Sequence, residues 1–209
     1  MSQYDRMMSG KLYNSEQKDD KLKQMYKNRI KFLNKFNATD FGDFKKREKL
    51  IRKYFKSAGK NAVVNKPFFC DYGANITIGD NFYANFDCII LDVNSVEIGN
   101  NVFLAPRVCI YTAGHPIDKD VRAEMLEYGY KVKIGNDVWI GGNTVINPGV
   151  TIGDNVVIGS NSVVTKDIPS NRVACGNPCR VIREITEQDS KFWRAQAEDY
   201  YNEINNTTC

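Results

Sequence analysis

Histidine is almost missing from this 209-residue chain, which carries one, His115. A single imidazole excludes metal sites built from several histidines. Long apolar runs are also missing. Nothing approaches the roughly 18 consecutive apolar residues of a membrane span. The opening MSQYDRMMSGKLYNSEQKDD has no apolar stretch of the secretory kind, so a cytoplasmic protein with no membrane partner is expected. Acidic residues are scarce near the start. Residues 1–60 hold 7 Asp+Glu against 17 Lys+Arg, and the remainder holds 18 against 12. Such a basic third invites a nucleic-acid reading. Its lysines, however, are spread at helical spacing and no nucleic-acid motif accompanies them. A solvated helical face is the preferred reading, with no nucleic-acid partner.

The six cysteines are Cys70, Cys88, Cys109, Cys175, Cys179 and Cys209. Without a secretion signal, and in a chain that is not small, no disulfide framework is expected. Cys88 and Cys109 fall in strand-like patterns and read as core residues. Cys175 and Cys179 in CGNPC would need further metal ligands that one histidine cannot supply, so no metal is expected.

What the chain does have is a period of six. Ile134, Ile140, Ile146, Ile152, Ile158 and Val164 recur at every sixth position, and Gly135, Gly141, Gly153 and Gly159 each follow such an isoleucine. Two positions before them lie Val132, Val138, Thr144, Val150, Val156 and Ser162. Six is a multiple of the strand period of 2 and not of the helical 3.6. The pattern is the hexapeptide signature of a parallel β-helix. It is in step earlier as well, at Ile78, Ala84 and Ile90 and at Ile98, Leu104 and Ile110. A slip of two between Ile90 and Ile98 marks an insertion near Asp92–Ser95. The rhythm lapses from Ala113 to Lys131, which reads as an excursion loop, because interior coils have fixed length.

Residues 1–60 read as an N-terminal helical segment. Helices are expected over 3–12 and about 16–56, with a break and cap at Asn37–Asp40. Leu22, Met25, Tyr26, Ile30, Leu33 and Phe36 form one expected apolar stripe, and Phe44, Leu50, Ile51, Tyr54 and Phe55 a second. Gly59 is expected as the C-cap. The β-helix is expected over 61–185, closing at Lys166–Pro169. A C-terminal helix and tail, 186–209, would cap its end with Phe192, Trp193, Tyr200 and Tyr201.

His115 opens the excursion loop, where function concentrates on rigid scaffolds. An unperturbed imidazole titrates near 6.5 and accepts protons at neutral pH. The bland alternative is a loop histidine on the surface. A cysteine nucleophile (Cys70 or Cys88) activated by His115 is disfavoured by the strand-like settings of both. Asp71, Asn85, Asp87, Asp92 and Glu127 lie at corners or in loops. Carboxylates there can take paired hydroxyls of a polyol, or Asn85 and Asp87 can simply serve tight turns. Lys166, Arg180 and Arg183 could hold a polyphosphate or form a solvated rim. Trp139 lies between two inward positions and should point outward, onto a ligand or a subunit contact.

Several segments together resemble the maltose/galactoside O-acetyltransferases, a branch of the hexapeptide acyltransferases. They are MSGKLY at 8–13, CDYGANITIG at 70–79, NFYANFDC at 81–88, LDV at 91–93, IYTAGHPID at 110–118, the repeats at 132–169 and GNPCRVIREI at 176–185. The resemblance implies a left-handed parallel β-helix, an exception to right-handed crossover. It also implies a homotrimer with active sites between neighbouring subunits, and acetyl-CoA as cosubstrate. It makes His115 the general base, with Asn85 helping to hold the reacting centre and acetyl-CoA. Asp71, Asp92 and Glu127 would face the sugar. Gly142, Ser160, Thr165, Lys166, Arg180 and Arg183 would meet acetyl-CoA, and Trp139 would line its channel. Backbone N–H groups around Gly141–Gly142 are candidates for the oxyanion. Asp92-Val93 in place of two aspartates, Glu127 in place of methionine and Asp71 in place of serine point to the maltose-type branch. The rivals are an antibiotic O-acetyltransferase of the same fold and a solenoid that binds without catalysis.

Overall fold

A computed structural model describes residues 1–207; Cys209 lies outside the described residues. The sixfold period becomes a three-faced parallel solenoid. Its first face stacks Ser57–Ala58, Ile76–Ile78, Val96–Ile98, Val132–Ile134 and Thr151–Ile152. The second runs from Val63–Val64 through Tyr83–Ala84, Phe103–Leu104, Trp139–Ile140 and Val156–Ile158 to Arg172–Cys175. Arg180–Glu184 then folds back antiparallel on that last strand. The third stacks Phe68–Cys70, Cys88–Leu91, Cys109–Tyr111, Val145–Ile146 and Val163–Val164. The isoleucines of the period all point inward and are buried. Removing them from water is the main favourable contribution of the stack.

Coil length can be read from the register. Thr77 lies over Ser57 and Val96 over Ile76, so the first coils advance 20 residues. Val132 over Val96 is a step of 36, Thr151 over Lys133 is 18, and Ile168 over Ile152 is 16. Every departure from 18 sits where the third face turns into the first. The extra residues are 71–75, the segment after Leu91, and the 113–131 excursion.

The turns between the first and second faces are nearly identical. Asn61, Asn81, Asn101, Asp137, Asn155 and Asn171 each have φ between 51° and 59°. Asn and Asp tolerate this left-handed conformation better than other side chains. Their side chains form a ladder along the solenoid in two runs, Asn61 to Asp137 and Asn155 to Asn171, the latter two bonded at 2.8 Å. The Nδ2 of Asn61 donates to Asn81, that of Asn81 to Asn101 and that of Asn101 to Asp137, at 3.0, 2.9 and 2.8 Å. The glycines after the inward isoleucines serve tight stacking. A Cβ on Gly99 would lie 2.7 Å from the carbonyl oxygen of Gly135 in the next coil.

Three helices close the start of the solenoid: α1 (Gln3–Met8), α2 (Asp20–Asn37) and α3 (Phe44–Tyr54). Asp19 caps α2 by accepting from the N–H groups of Lys21 and Leu22, which satisfies two donors the helix leaves unpaired. The buried stripe of α2 is Leu22, Met25, Phe32 and Phe36, while Tyr26 and Ile30 are exposed. It is therefore turned slightly from the expected stripe. Phe32, Phe36, Tyr54, Phe55 and Phe68 form one aromatic cluster over the first coil. Asp43, not Asp40, caps α3. Gly59 is a coil corner rather than a helix C-cap, because the solenoid already begins at Ser57. At the other end the stack continues past Pro169 through Arg172–Cys175. The C-terminal helix, α5 (Glu187–Thr207), does not cap it: Phe192, Trp193, Tyr200 and Tyr201 are all exposed. Among the described residues no helix is long and apolar enough to cross a membrane.

The corner ladder predicts its own stability effect. Asn81→Ala removes two ladder bonds and leaves alanine in a left-handed conformation. It should cost roughly 2–3 kcal/mol, read by urea unfolding. A loss below about 0.5 kcal/mol would show that the ladder is ornamental.

Candidate active site

The excursion is an arm with a defined base. Ala113–Gly114 pairs antiparallel with Tyr128–Gly129, and a short helix, α4 (Lys119–Ala123), capped by the Asp118 carboxylate, forms its outer part. His115 follows the first strand of this base and is exposed. Its Nδ1 lies 3.1 Å from the carbonyl oxygen of Leu126. A carbonyl only accepts, so in the neutral ring the proton belongs on Nδ1 and Nε2 keeps its lone pair. A backbone group, not a carboxylate, thus orients the imidazole. The arm is tied to the N-terminal segment next to that carbonyl. Tyr13 and Glu127 exchange two backbone hydrogen bonds, at 2.9 and 3.0 Å.

Behind Glu127 lies a cavity of about 180 Å³, lined by Tyr13, Ser15, Tyr26, Arg29, Asp71, Tyr72, Val93 and Glu127. Arg29 Nη1 stands 3.7 Å from Asp71 Oδ1, and its guanidinium lies over the Tyr26 ring. Burial pushes the Asp71 carboxyl up to about 6, with Arg29 pulling it down and Glu127 raising it. The Tyr13 hydroxyl and Arg29 Nε are buried without a hydrogen-bond partner. Two carboxylates, one guanidinium and an unpartnered phenol can each accept from or donate to hydroxyl groups. Asp71 and Glu127 therefore share one cavity.

Asp92 does not join them. It is fully buried, and its Oδ1 accepts from the N–H groups of Asp71, Tyr72 and Gly73 at 3.1, 2.8 and 3.0 Å. Its Oδ2 accepts from Asn75 N–H at 3.1 Å. Burial pushes it up to about 7 against the pull of these donors. Its work is to hold the 71–75 insertion, and so to place Asp71; a carboxylate saturated by backbone cannot face a sugar.

The remaining expected residues separate into two groups. Asn85, Gly142 and Ser160 sit where the second face turns into the third, and Trp139 lies in the second-face strand that leads into Gly142; the Phe103–Leu104 coil separates Asn85 from the others. His115, Thr165 and Lys166 sit past the opposite end of the third face. A face of about six residues, extended for most of its length, separates the two edges, roughly 20 Å at 3.3 Å per residue. One chain does not bring His115 and Asn85 together. At the first edge Tyr83, Phe103 and Trp139 form an outward aromatic ladder, and Trp139 points outward as expected, half exposed. The N–H of Gly141 is used by the carbonyl of Ile158 at 2.8 Å, so the oxyanion candidate there narrows to Gly142. That glycine has room for little else, since a Cβ would come within 3.2 Å of the Pro106 carbonyl oxygen. A bare backbone edge flanked by Ser160 and an exposed tryptophan fits a pantetheine-like chain. Arg183 is held by Asp189 in a two-pronged pair at 2.8 and 2.9 Å. Lys166 and Arg180 carry no ion pair among the described residues.

Cysteine chemistry is disfavoured. Burial pushes the Cys88 thiol up to about 11 and raises Cys70 well above its ordinary value, so neither offers a thiolate near neutrality. Residues that spacing and motif alone pass over include Tyr13, Arg29 and Asn94. Arg29 carries a signal: a cation four residues after Met25 and three before Phe32, within the buried stripe of α2. Tyr13 and Asn94 act through backbone and amide contacts that no spacing announces.

Comparison with known proteins agrees with this architecture. Residues 131–166 match the family described as bacterial transferase hexapeptide (six repeats). Residues 6–59 match the maltose acetyltransferase hexapeptide capping motif. The galactoside O-acetyltransferase of Escherichia coli K12 is 45% identical over 158 residues, 76% of this chain and 78% of that protein. A maltose O-acetyltransferase structure from Clostridium difficile 630 is 53% identical with a TM-score of 0.86, covering 89% of this chain and 98% of that one. A galactoside acetyltransferase in complex with coenzyme A is 46% identical with a TM-score of 0.87, covering 91% and 94%. The chain belongs to the maltose/galactoside O-acetyltransferase family of hexapeptide-repeat acetyltransferases, enzymes that work with acetyl-CoA.

Proposed function

We propose that this protein transfers the acetyl group of acetyl-CoA to a hydroxyl of a neutral sugar such as maltose or glucose, in a cleft between two copies of a homotrimer. The observation that carries the reading is His115. Its Nδ1 is engaged by the Leu126 carbonyl, its other nitrogen is left as a base, and Glu127, the residue after Leu126, lines a cavity with Asp71 and Arg29. Nε2 of His115 takes the proton of the sugar hydroxyl while the oxygen attacks the thioester carbonyl. The N–H of Gly142 faces the oxyanion of the tetrahedral adduct. When the adduct collapses, the C–S bond breaks and the imidazolium returns its proton to the departing thiolate. Base assistance of this kind contributes typically about 10²–10⁴-fold. No acyl-enzyme is needed. A cavity with two carboxylates and one guanidinium suits a polyol better than an apolar antibiotic.

The separation of the two residue groups supports the shared cleft. Closed rotational symmetry lets the His115 edge of one copy meet the Asn85 edge of the next. Lys166 and Arg180 supply cations for the phosphates of acetyl-CoA.

Five outcomes follow from this reading. His115→Ala should fold and still bind coenzyme A, while thiol release with maltose falls at least about 100-fold. A panel of maltose, glucose, galactosides, chloramphenicol and streptogramins identifies the acceptor, and thiol release with none of them would leave only a binding solenoid. Mixing inactive His115→Ala and Asn85→Ala chains and reassembling them should restore about a quarter of the sites, because half the partners at each interface are of the right kind on each side. No recovery would place each site within one chain. The acceptor KM should rise as pH falls through about 6, where Asp71 takes up its proton. Arg29→Met should move that inflection upward, since Arg29 favours the charged form of Asp71. An inflection that stays put would remove Asp71 from acceptor binding.

A further inference from the structure

We propose that Asn94 is a positioning residue for His115: its amide locks the base of the arm to the end of α1, and this lock sets the tautomer of the imidazole. Its importance for turnover rests on the reading of His115 as the base. The lock itself does not.

Asn94 lies in the segment inserted between Leu91 and Val96 and is buried, at 7% exposure. Its Nδ2 donates to the carbonyl of Gly129 at 2.9 Å and to those of Met7 and Met8 at 3.2 and 3.3 Å. Met7 and Met8 end α1, where carbonyls lack the full set of intrahelical donors; that of Met7 also accepts from Gly10 N–H at 3.2 Å. The backbone N–H of Asn94 donates to Thr112 Oγ1 at 2.9 Å, and that hydroxyl donates to Leu91 O at 2.7 Å. One side chain thus joins three parts of the chain that are remote in sequence. They are the first helix, the coil insertion, and the second strand of the arm base.

That strand is the one that matters to His115. Gly129 is paired with Ala113, and Tyr128 with Gly114, immediately before the histidine. Leu126, whose carbonyl holds Nδ1, lies three residues before Gly129. Tyr13 fixes Glu127 between them. Two ties to the N-terminal segment therefore follow the Leu126 carbonyl within three residues, one through backbone at Glu127 and one through the Asn94 amide at Gly129. Contact at the lock is close. A Cβ on Gly129 would fall 2.7 Å from Val93 Cγ1 and 3.2 Å from the Asn94 Cβ, so the arm seats only with glycine there. If Asn94 is cut back, three carbonyls lose a donor in a buried place, and the arm gains a reason to lift. A ring released from the carbonyl exchanges its proton between nitrogens, and Nε2 is then a base only part of the time.

The chain's single histidine makes the test clean, because ¹⁵N-detected NMR of imidazole gives one residue's signals with no assignment. The full chain is used as wild type, Asn94→Ala, Gly129→Ala and, as a control, Asn155→Ala in the corner ladder far from the arm. Wild type should show Nδ1–H alone in the neutral ring. Asn94→Ala should show mixed tautomers and a kcat at least tenfold lower, with KM for acetyl-CoA within twofold. Asn155→Ala should lose stability yet keep both the tautomer and kcat. A pure Nδ1–H signature in folded Asn94→Ala overturns the proposal, as does a tautomer change of equal size in the control. If Asn94→Ala does not fold, Gly129→Ala replaces it: mixed tautomers there support the lock and a pure Nδ1–H signature overturns it. Mixed tautomers with undiminished kcat would support the lock and instead refute His115 as the base.

Discussion

Everything in this molecule depends on each coil coming back to the same place above the one before. A parallel sheet lends its hydrogen bonds to the neighbouring coil, so a strand that arrives out of step finds neither its partners nor its slot in the core. The chain secures this closure at the turns. Six left-handed Asn and Asp residues stand in one column, and their side chains bond in a run of four and a run of two. Glycines in the adjoining column let consecutive coils approach more closely than a Cβ allows. The buried isoleucines then fill a shaft of constant section. Burial provides the driving force, and the corners provide the register.

A rigid shaft has a cost for chemistry, because its flat faces hold residues apart. The two groups of expected site residues lie at opposite edges of the same face. The solution visible in the chain is to let side structures work at one edge. The N-terminal helices and the arm meet there, and between them they form a small acidic cavity and present an oriented imidazole. None of these parts is held by the solenoid alone. Tyr13, Asn94 and Asp92 each reach from one segment to another through backbone groups.

Much of the fold is legible in the sequence because the period of six is enforced by sterics at every coil, and sterics write themselves into residue type. The inward isoleucines, the excursion at 113–131 and the slip after Ile90 can all be read directly. The helical stripe of α2 reads slightly out of phase, because Tyr26 and Ile30 are apolar enough to mimic a buried face. Gly59 resembles a helix end, and only the neighbouring coil shows it to be a corner. At the site, residue type singles out His115, and the family resemblance adds Asp71 and Glu127, but neither says what orients the ring, since a carbonyl leaves no mark on residue identity. Asp92 misleads for the opposite reason. A carboxylate beside a loop looks available to a ligand, and here four amide N–H groups have already claimed it.

The uneven coil lengths have a consequence for how such a protein can change over generations. Additions of two residues, two residues and eighteen, and a deletion of two, have all been accommodated at the same seam of the prism. The other two seams have kept their spacing throughout. Novelty is thus funnelled to the border beside the imidazole, where a lineage could exchange one recognition loop for another without rebuilding the column that supports it.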